Sequence, residues 1–178
     1  MKSEAEFCTV VKNSLINGFK IPDATGNFAS SIQRCFDGIG SIKVDDKLKF
    51  VCWEAKFMKS LGAFSLKAVE PHQDAYLRAY QQCENIQTFV ILGIDIDRTD
   101  KRAYVFDWNE LYPLYEVGFS FHKKFLDNLP YNPIKKGIFE FKNIINKKTI
   151  KEIYSKPMEV IIEESKLKNK ELKTGLQK

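Results

Sequence analysis

Hydrophobic and polar positions along the chain change period several times, and each change predicts an element. Phe7, Val10, Val11 and Leu15 recur at helical spacing, so a first helix is expected over about residues 3–17, with Gly18 as its stop. Residues 20–31 are rich in turn formers and read as a loop. From Cys35 to Phe57 the period becomes two. Residues 35–40 and 49–57 then form the strands of a β-hairpin around a turn at Val44-Asp45-Asp46-Lys47. Pro71 suits a first helical turn, and Tyr76, Ala79, Tyr80 and Cys83 make the stripe of a helix over 70–84. Thr88–Ile96 is the continuous apolar run of a strand buried on both faces, with Arg102–Asp107 as its neighbour across the turn 97–100. A short helix is expected over 108–117, opened by Asp107 or Asn109. Beyond residue 120, Pro130, Pro133 and Gly137 break the pattern, and a helix over 148–170 is interrupted at Pro157. The order helix, hairpin, helix, strand, strand, helix predicts an α/β fold in which a mixed β-sheet is flanked by helices.

Composition narrows the class. In 178 residues, 44% are apolar and 29% charged, which suits a globular core and excludes collagen-like or wholly disordered chains. No window approaches the roughly 18 consecutive apolar residues of a membrane span, and Met1–Phe7 lacks the apolar block of a signal peptide, so a soluble, cytoplasmic protein with no membrane partner is expected. The cysteines at 8, 35, 52 and 83 form no CxxC pair, and the histidines are His72 and His122 alone. Reduced thiols are expected, not a zinc site.

The net charge of +5 is uneven: residues 1–120 hold 14 Lys and Arg against 16 Asp and Glu, whereas residues 121–178 hold 14 against 7. The chain therefore divides into a domain over 1–120 and a basic extension over 121–178, partly helical and in part disordered. The lysines of that extension suit either a polyanion or a solvated surface.

One segment carries candidate chemistry. On an extended strand, Trp53, Ala55 and Phe57 point one way, while Glu54 and Lys56 point the other. Asp37, on the partner strand, brings a second carboxylate toward the same spot. Two acids on adjacent strands repel one another, and a divalent cation between them removes that penalty. Mg²⁺ takes such a site, completing its shell with waters and substrate phosphate oxygens. A lysine alongside can orient water or stabilise charge on a transferring phosphoryl group. A solvated Glu–Lys pair on a surface strand is the plain alternative, and the flanks Phe50-Val51-Cys52-Trp53 and Phe57-Met58 argue against it.

The motif Asp37…Glu54-x-Lys56 resembles the signature of PD-(D/E)xK nucleases. The ordered set Trp53-Glu-Ala-Lys-Phe57, Phe64-Ser-Leu-Lys67, Glu70-Pro-His-Gln73 and Thr88-Phe-Val-Ile-Leu92 is similar to RecU-type Holliday junction resolvases, over roughly residues 3–115. The resemblance implies a restriction-endonuclease-like core and a Mg²⁺- or Mn²⁺-dependent endonuclease acting on branched DNA in recombination and repair, as a homodimer. Asp37, Glu54 and Glu6 would be its metal ligands, Lys56 its catalytic lysine and Gln73 a helical glutamine facing the site. Glu4 is a near neighbour of Glu6, and His72 reads as an N-terminal helix residue. Lys59 and Lys67, in the segment after the catalytic strand, would contact DNA. Lys43, Lys47, Lys49 and the C-terminal Lys147, Lys148, Lys151, Lys166, Lys168 and Lys170 are open between DNA contact and plain solubility. Two departures stand out. The family's long stalk has only residues 20–36 in its place, and Cys35-Phe36 replaces the motif's proline. A PD-(D/E)xK nuclease acting on linear duplex, of restriction or repair type, and an inactive DNA-binding module therefore remain alternatives, and phage origin is compatible with all three.

Overall fold

The structure is a computed structural model that describes residues 1–22, 34–44 and 46–175. The expected loop over 20–31 lies largely outside the described residues.

Helix α1 (Glu4–Ser14) begins where the Ser3 side chain accepts a hydrogen bond from the Glu6 amide. It is shorter than the periodicity suggests, because the chain turns directly into an edge strand, β1 (Ile16–Lys20), which the sequence reading assigned to helix end and loop. The reversal requires Gly18: a Cβ there would lie 2.1 Å from the Lys12 carbonyl oxygen. Strands β2 (Gly38–Val44) and β3 (Lys47–Met58) form the expected hairpin, with Val44 opposite Lys47 and Asp46 at a positive φ of 61°.

A two-residue strand, β4 (Phe64–Ser65), leads into helix α2 (Pro71–Tyr80), which crosses back to β5 (Ile86–Asp95). Strand β5 runs parallel to β3, and β6 (Lys101–Asp107) returns antiparallel beside it. Helix α3 (Trp108–Glu116) is capped by the Asp107 side chain, as the sequence predicts. Strand β7 (Ser120–Phe121) pairs with β4. Helix α4 (Lys123–Asn128) precedes β8 (Asn132–Pro133) and β9 (Ile144–Ile145), both paired with β6. Helices α5 (Lys147–Tyr154) and α6 (Met158–Gly175) are separated by Ser155 in the left-handed conformation just before Pro157.

The result is an α/β fold with a mixed, mostly antiparallel sheet in the order β1-β2-β3-β5-β6-β8, flanked by helices. Strand alternation divides its core in two. Val51, Trp53, Ala55, Phe89 and Ile91 pack with Phe7 and Val11 of α1 on one face. Cys52, Val90, Leu92, Tyr104 and Phe106 pack with Leu77 of α2 and Trp108, Leu111 and Leu114 of α3 on the other. Residues set apart in sequence as a basic extension join this second cluster through Leu126, Leu129, Ile145, Ile150, Met158 and Ile161. The described part of 121–175 is thus built onto the same core as residues 1–120. Its helices expose their lysines because the apolar side of each faces inward.

The stripe of α2 departs from expectation. Gln73, Asp74 and Leu77 are its buried positions, while Tyr76 and Tyr80 stay 45% and 40% exposed. The helix rotates this way because Asp74 accepts a hydrogen bond from the indole of the fully buried Trp108, at 2.9 Å.

The start of β2 tolerates no side chain. A Cβ on Gly38 would lie 2.4 Å from the Trp53 ring and 2.3 Å from the Phe19 carbonyl oxygen. Gly38→Ala is expected to destabilise the fold by about 1–3 kcal/mol through overpacking, read as a lowered urea midpoint with unchanged slope; an unchanged midpoint would show that this contact relaxes freely.

Candidate active site

Asp37 lies immediately before β2 and is held there by backbone as well as side chain. Its amide donates to the Trp53 carbonyl oxygen at 3.1 Å, and its carbonyl oxygen accepts from Ile21 at 2.8 Å. Its Oδ2 accepts from the Ala55 amide at 2.8 Å, and its Oδ1 is paired with the Arg34 guanidinium. This carboxylate is 1% exposed. It therefore fastens the β2 end to the middle of β3, beside Glu54.

Glu54, also 1% exposed, lies on the face of the sheet opposite Trp53 and Ala55. Its Oε1 accepts from Lys56 Nζ at 2.8 Å and from Gln73 Nε2 at 2.7 Å. Its Oε2 is buried and has no hydrogen-bond partner among the described residues. The orientation of the Gln73 amide follows from its other contacts. Gln73 Oε1 accepts from the Glu70 amide at 2.9 Å and from Lys56 Nζ at 3.3 Å, which leaves Nε2 toward Glu54. Residues from a strand and a helix are thus locked into one network.

The electrostatics follow from burial. Desolvation raises the Glu54 carboxyl above its usual range, and the nearby Asp37 charge raises it further, while Lys56 and Arg34 pull it back. For Lys56, burial works against the ammonium, but Glu54, Glu4 and Asp37 outweigh it, so its pKa is raised. Lys56 remains a cation in this setting.

The sequence-nominated residues divide clearly. Asp37, Glu54, Lys56 and Gln73 come together. Glu6 does not join them: it is exposed, and its carboxylate accepts from the Lys2 amide at 2.6 Å. The α1 acid whose charge reaches Lys56 is Glu4. One helical turn separates Glu4 from Cys8, a residue the motif reading passed over. The Cys8 thiol is buried near Asp37, and burial followed by the Asp37 charge raises its pKa to about 12, so it stays protonated. Sequence alone gives it only as a reduced thiol, and the sheet shows that this face of α1 reaches Asp37. Arg34 was likewise unflagged. His72 supports the cluster from outside, with Nε2 3.1 Å from the Arg34 carbonyl oxygen.

Lys59 lies exposed just after β3. Lys67 does not line the cluster. Its ammonium sits 3.8 Å from the centre of the Tyr115 ring, in a groove shared with Lys166 and Lys170 of α6. Lys43 is paired with Asp46 at the hairpin tip, 2.7 Å away.

The donor set suits a hard cation. Asp37 and Glu54 offer oxygen ligands, and Glu54 Oε2 is an unsatisfied buried acceptor. Among the described residues no three His, Cys, Asp or Glu side chains form a ready-made metal cluster. Mg²⁺ needs none, since one or two carboxylates with water and phosphate oxygens complete its octahedron.

No protein-family model matches the chain, and a search of curated proteins returns no match. The geometry of the cluster is therefore the ground for any functional reading.

Burial makes this cluster pH-sensitive. Glu54 is raised from 4.5 to about 7. Between those values the folded protein holds a proton that the unfolded chain releases, so stability is expected to fall as pH rises through that window. Added Mg²⁺ should flatten the decline by favouring the ionised carboxylate. Urea unfolding across the window, with and without Mg²⁺, checks both; a profile that Glu54→Gln leaves unchanged would assign the dependence elsewhere.

Proposed function

We propose that the chain is a metal-dependent endodeoxyribonuclease, with a restriction-endonuclease-like core, that hydrolyses phosphodiester bonds in branched DNA. The observation carrying this reading is the convergence of Asp37, Glu54, Lys56 and Gln73, with Glu54 Oε2 left buried and unpartnered. Such an atom costs about 1–3 kcal/mol if it serves no purpose, and a cation is the ligand that suits a carboxylate oxygen. The element order α1, the meander β1-β2-β3, α2 and a parallel β5 supports the proposed core.

The chemistry divides among the side chains. Asp37 and Glu54 would hold Mg²⁺ or Mn²⁺, which supplies Lewis-acid stabilisation of phosphate charge and acidifies water. Lys56 presents a fixed ammonium at the edge of the cluster, 14% exposed, where it can position attacking water and offset charge on the phosphoryl oxygens. Gln73 holds Lys56 and Glu54 in register from α2. Arg34 fixes one side of Asp37 by charge, and the neutral Cys8 thiol lies near it. Lys59, just past Lys56, is placed to meet the phosphate backbone.

A homodimer is the assembly this reading favours, because two symmetric cuts at a four-way junction call for two sites related by a two-fold axis. The RecU-like order of motifs supports branched DNA as the substrate.

Cleavage of labelled four-way junctions in the presence of Mg²⁺ tests the reading. Asp37→Asn and Lys56→Ala should each lower the rate at least about 100-fold while leaving junction affinity within about threefold. Equal cleavage of junction and matched duplex would move the substrate to linear DNA. Binding without Mg²⁺-dependent cleavage by the wild type would leave only a DNA-binding module.

Gln73 tests positioning separately. Gln73→Glu places a third carboxylate against Glu54 and should lower the metal concentration needed for half-maximal cleavage, because a cation relieves the added repulsion, whereas Gln73→Ala should lower the maximal rate by about tenfold. Metal titrations of cleavage distinguish the two outcomes, and identical profiles for both variants would remove Gln73 from the site.

A further inference from the structure

A second concavity lies outside the candidate site. Between the C-terminal end of α3, helix α6 and the turn Leu66–Ala68 runs a groove of about 750 Å³, whose lining includes Lys67, Glu116, Gly118, Lys166, Asn169 and Lys170. Its walls are tied together. Asn169 Nδ2 donates to the Val117 carbonyl oxygen at 2.6 Å, and the Lys67 ammonium rests 3.8 Å from the centre of the Tyr115 ring. Gly118, at a φ of 67°, lies where they meet, since a Cβ there would stand 3.8 Å from Asn169 Nδ2 and 3.9 Å from Lys67 Cε.

Lysines from two separate elements line this one space. Its carboxylate, Glu116, is taken by Arg78 at 2.9 Å. Lys67 meets a ring rather than a carboxylate. Lys166 pairs with Glu163 of its own helix, and both side chains are more than half exposed, so the pair contributes little and yields readily to another anion. The macrodipole of α6 acts within its last turn, and it accounts for neither Lys166 nor Lys67. Lys166 and Lys170 rise about 6 Å along α6, close to two nucleotide steps of about 3.4 Å on one DNA strand. The groove is also near the cluster. Lys67 precedes Glu70 by three residues, the Glu70 amide donates to Gln73 Oε1 at 2.9 Å, and that oxygen lies 3.3 Å from Lys56 Nζ. At no more than about 3.6 Å of chain per residue, the Lys67 backbone stands within about 19 Å of Lys56 Nζ.

We propose that this groove binds the phosphate backbone of DNA, through the ammoniums of Lys67, Lys166 and Lys170, within about five or six nucleotides of the phosphodiester at Glu54 and Lys56. The inference rests on the nuclease reading and gives its substrate a second hold that carries no sequence information. Charge complementarity sets the class of occupant: three cations beside one neutralised acid suit a polyanion. The short span to Lys56 selects among polyanions, because a nucleic acid lying at the cluster extends to the groove, whereas an acidic peptide or an anionic lipid surface would meet the same charge without reaching the cluster.

Lys67→Gln, Lys166→Gln and Lys170→Gln, combined, remove the three charges at exposed positions, and urea unfolding verifies that the fold persists. A control variant combines Lys123→Gln, Lys135→Gln and Lys148→Gln, exposed lysines outside the groove. Fluorescence anisotropy without divalent cation then follows the affinity for a labelled four-way junction as salt is raised. Each phosphate contact adds about 0.9 to the slope of log affinity against log salt, so the groove variant should flatten the slope by about 2–3 and the control by less than about 1. Equal flattening in both variants, an unchanged slope in the groove variant, or no binding of the junction by the wild type would overturn the groove. So would an unchanged slope together with lost binding to phosphatidylserine vesicles, because the groove would then face a lipid surface. Mg²⁺-dependent cleavage keeps the two readings apart, since Lys56→Ala should lose cleavage and keep the wild-type slope. If the wild type cuts and the groove variant leaves the slope unchanged, the groove alone falls. If the wild type never cuts, the catalytic reading falls, and the slope comparison still judges the groove.

Discussion

Two carboxylates buried side by side, Asp37 and Glu54, set the terms for the rest of this molecule. Each is 1% exposed, and a buried charge without compensation costs several kcal/mol. The fold offsets that cost asymmetrically. Asp37 receives a backbone amide on one oxygen and a guanidinium on the other, so both are engaged. Glu54 receives an ammonium and an amide on one oxygen only, and its other oxygen is left over. An arrangement tuned purely for stability would have closed that gap or filled it with an apolar side chain. The residual acceptor is the feature on which the proposed cation site rests.

The scaffold explains how the pair is held. Strand β3 pairs with β5 through Glu54 and with β2 as far as Trp53, where the Asp37 amide adds one more bond. Asp37 enters where β2 begins, and Gly38 allows the Trp53 ring to lie against the backbone at that point. Trp53, Ala55 and Phe7 anchor the opposite face in a well-packed cluster. Helix α2 is oriented by the Trp108–Asp74 hydrogen bond, and the same orientation turns Gln73 inward and leaves Tyr76 and Tyr80 in solvent. The inward Gln73 and the two exposed tyrosines are therefore consequences of one helix rotation.

Much of this is legible in the residues. The alternation around Glu54-Ala55-Lys56 gives the strand and its two faces, and the periods of 70–84, 88–96 and 102–107 give the order of elements. Other features are invisible at that level. Residues 16–20 carry no clean alternation because an edge strand with one bare face needs none, so they look like the end of a helix. Glu4 and Glu6 cannot be ranked from spacing, since both lie in the first turn of α1. Their difference arises from the direction in which that helix meets the sheet, which leaves the Glu4 charge near enough to favour the Lys56 ammonium and Glu6 at the Lys2 amide. Lys67 reads as a companion of the catalytic strand, yet its ammonium finds the Tyr115 ring, a partner 48 positions away in the chain.

The sequence by itself determined strands β2, β3, β5 and β6 of the central sheet, helices α1, α2 and α3 beside it and the identity of the acids and the amine that share a strand face, because period and residue type are local properties. Tertiary structure alone decided which α1 carboxylate lies near that amine, that an arginine braces Asp37, that the basic C-terminal third completes the core, and that Leu48 and Phe50 stay exposed on the hairpin. Those outcomes depend on how helices rotate and where layers stop. Both are fixed by packing between segments far apart in the chain, and no local pattern records them.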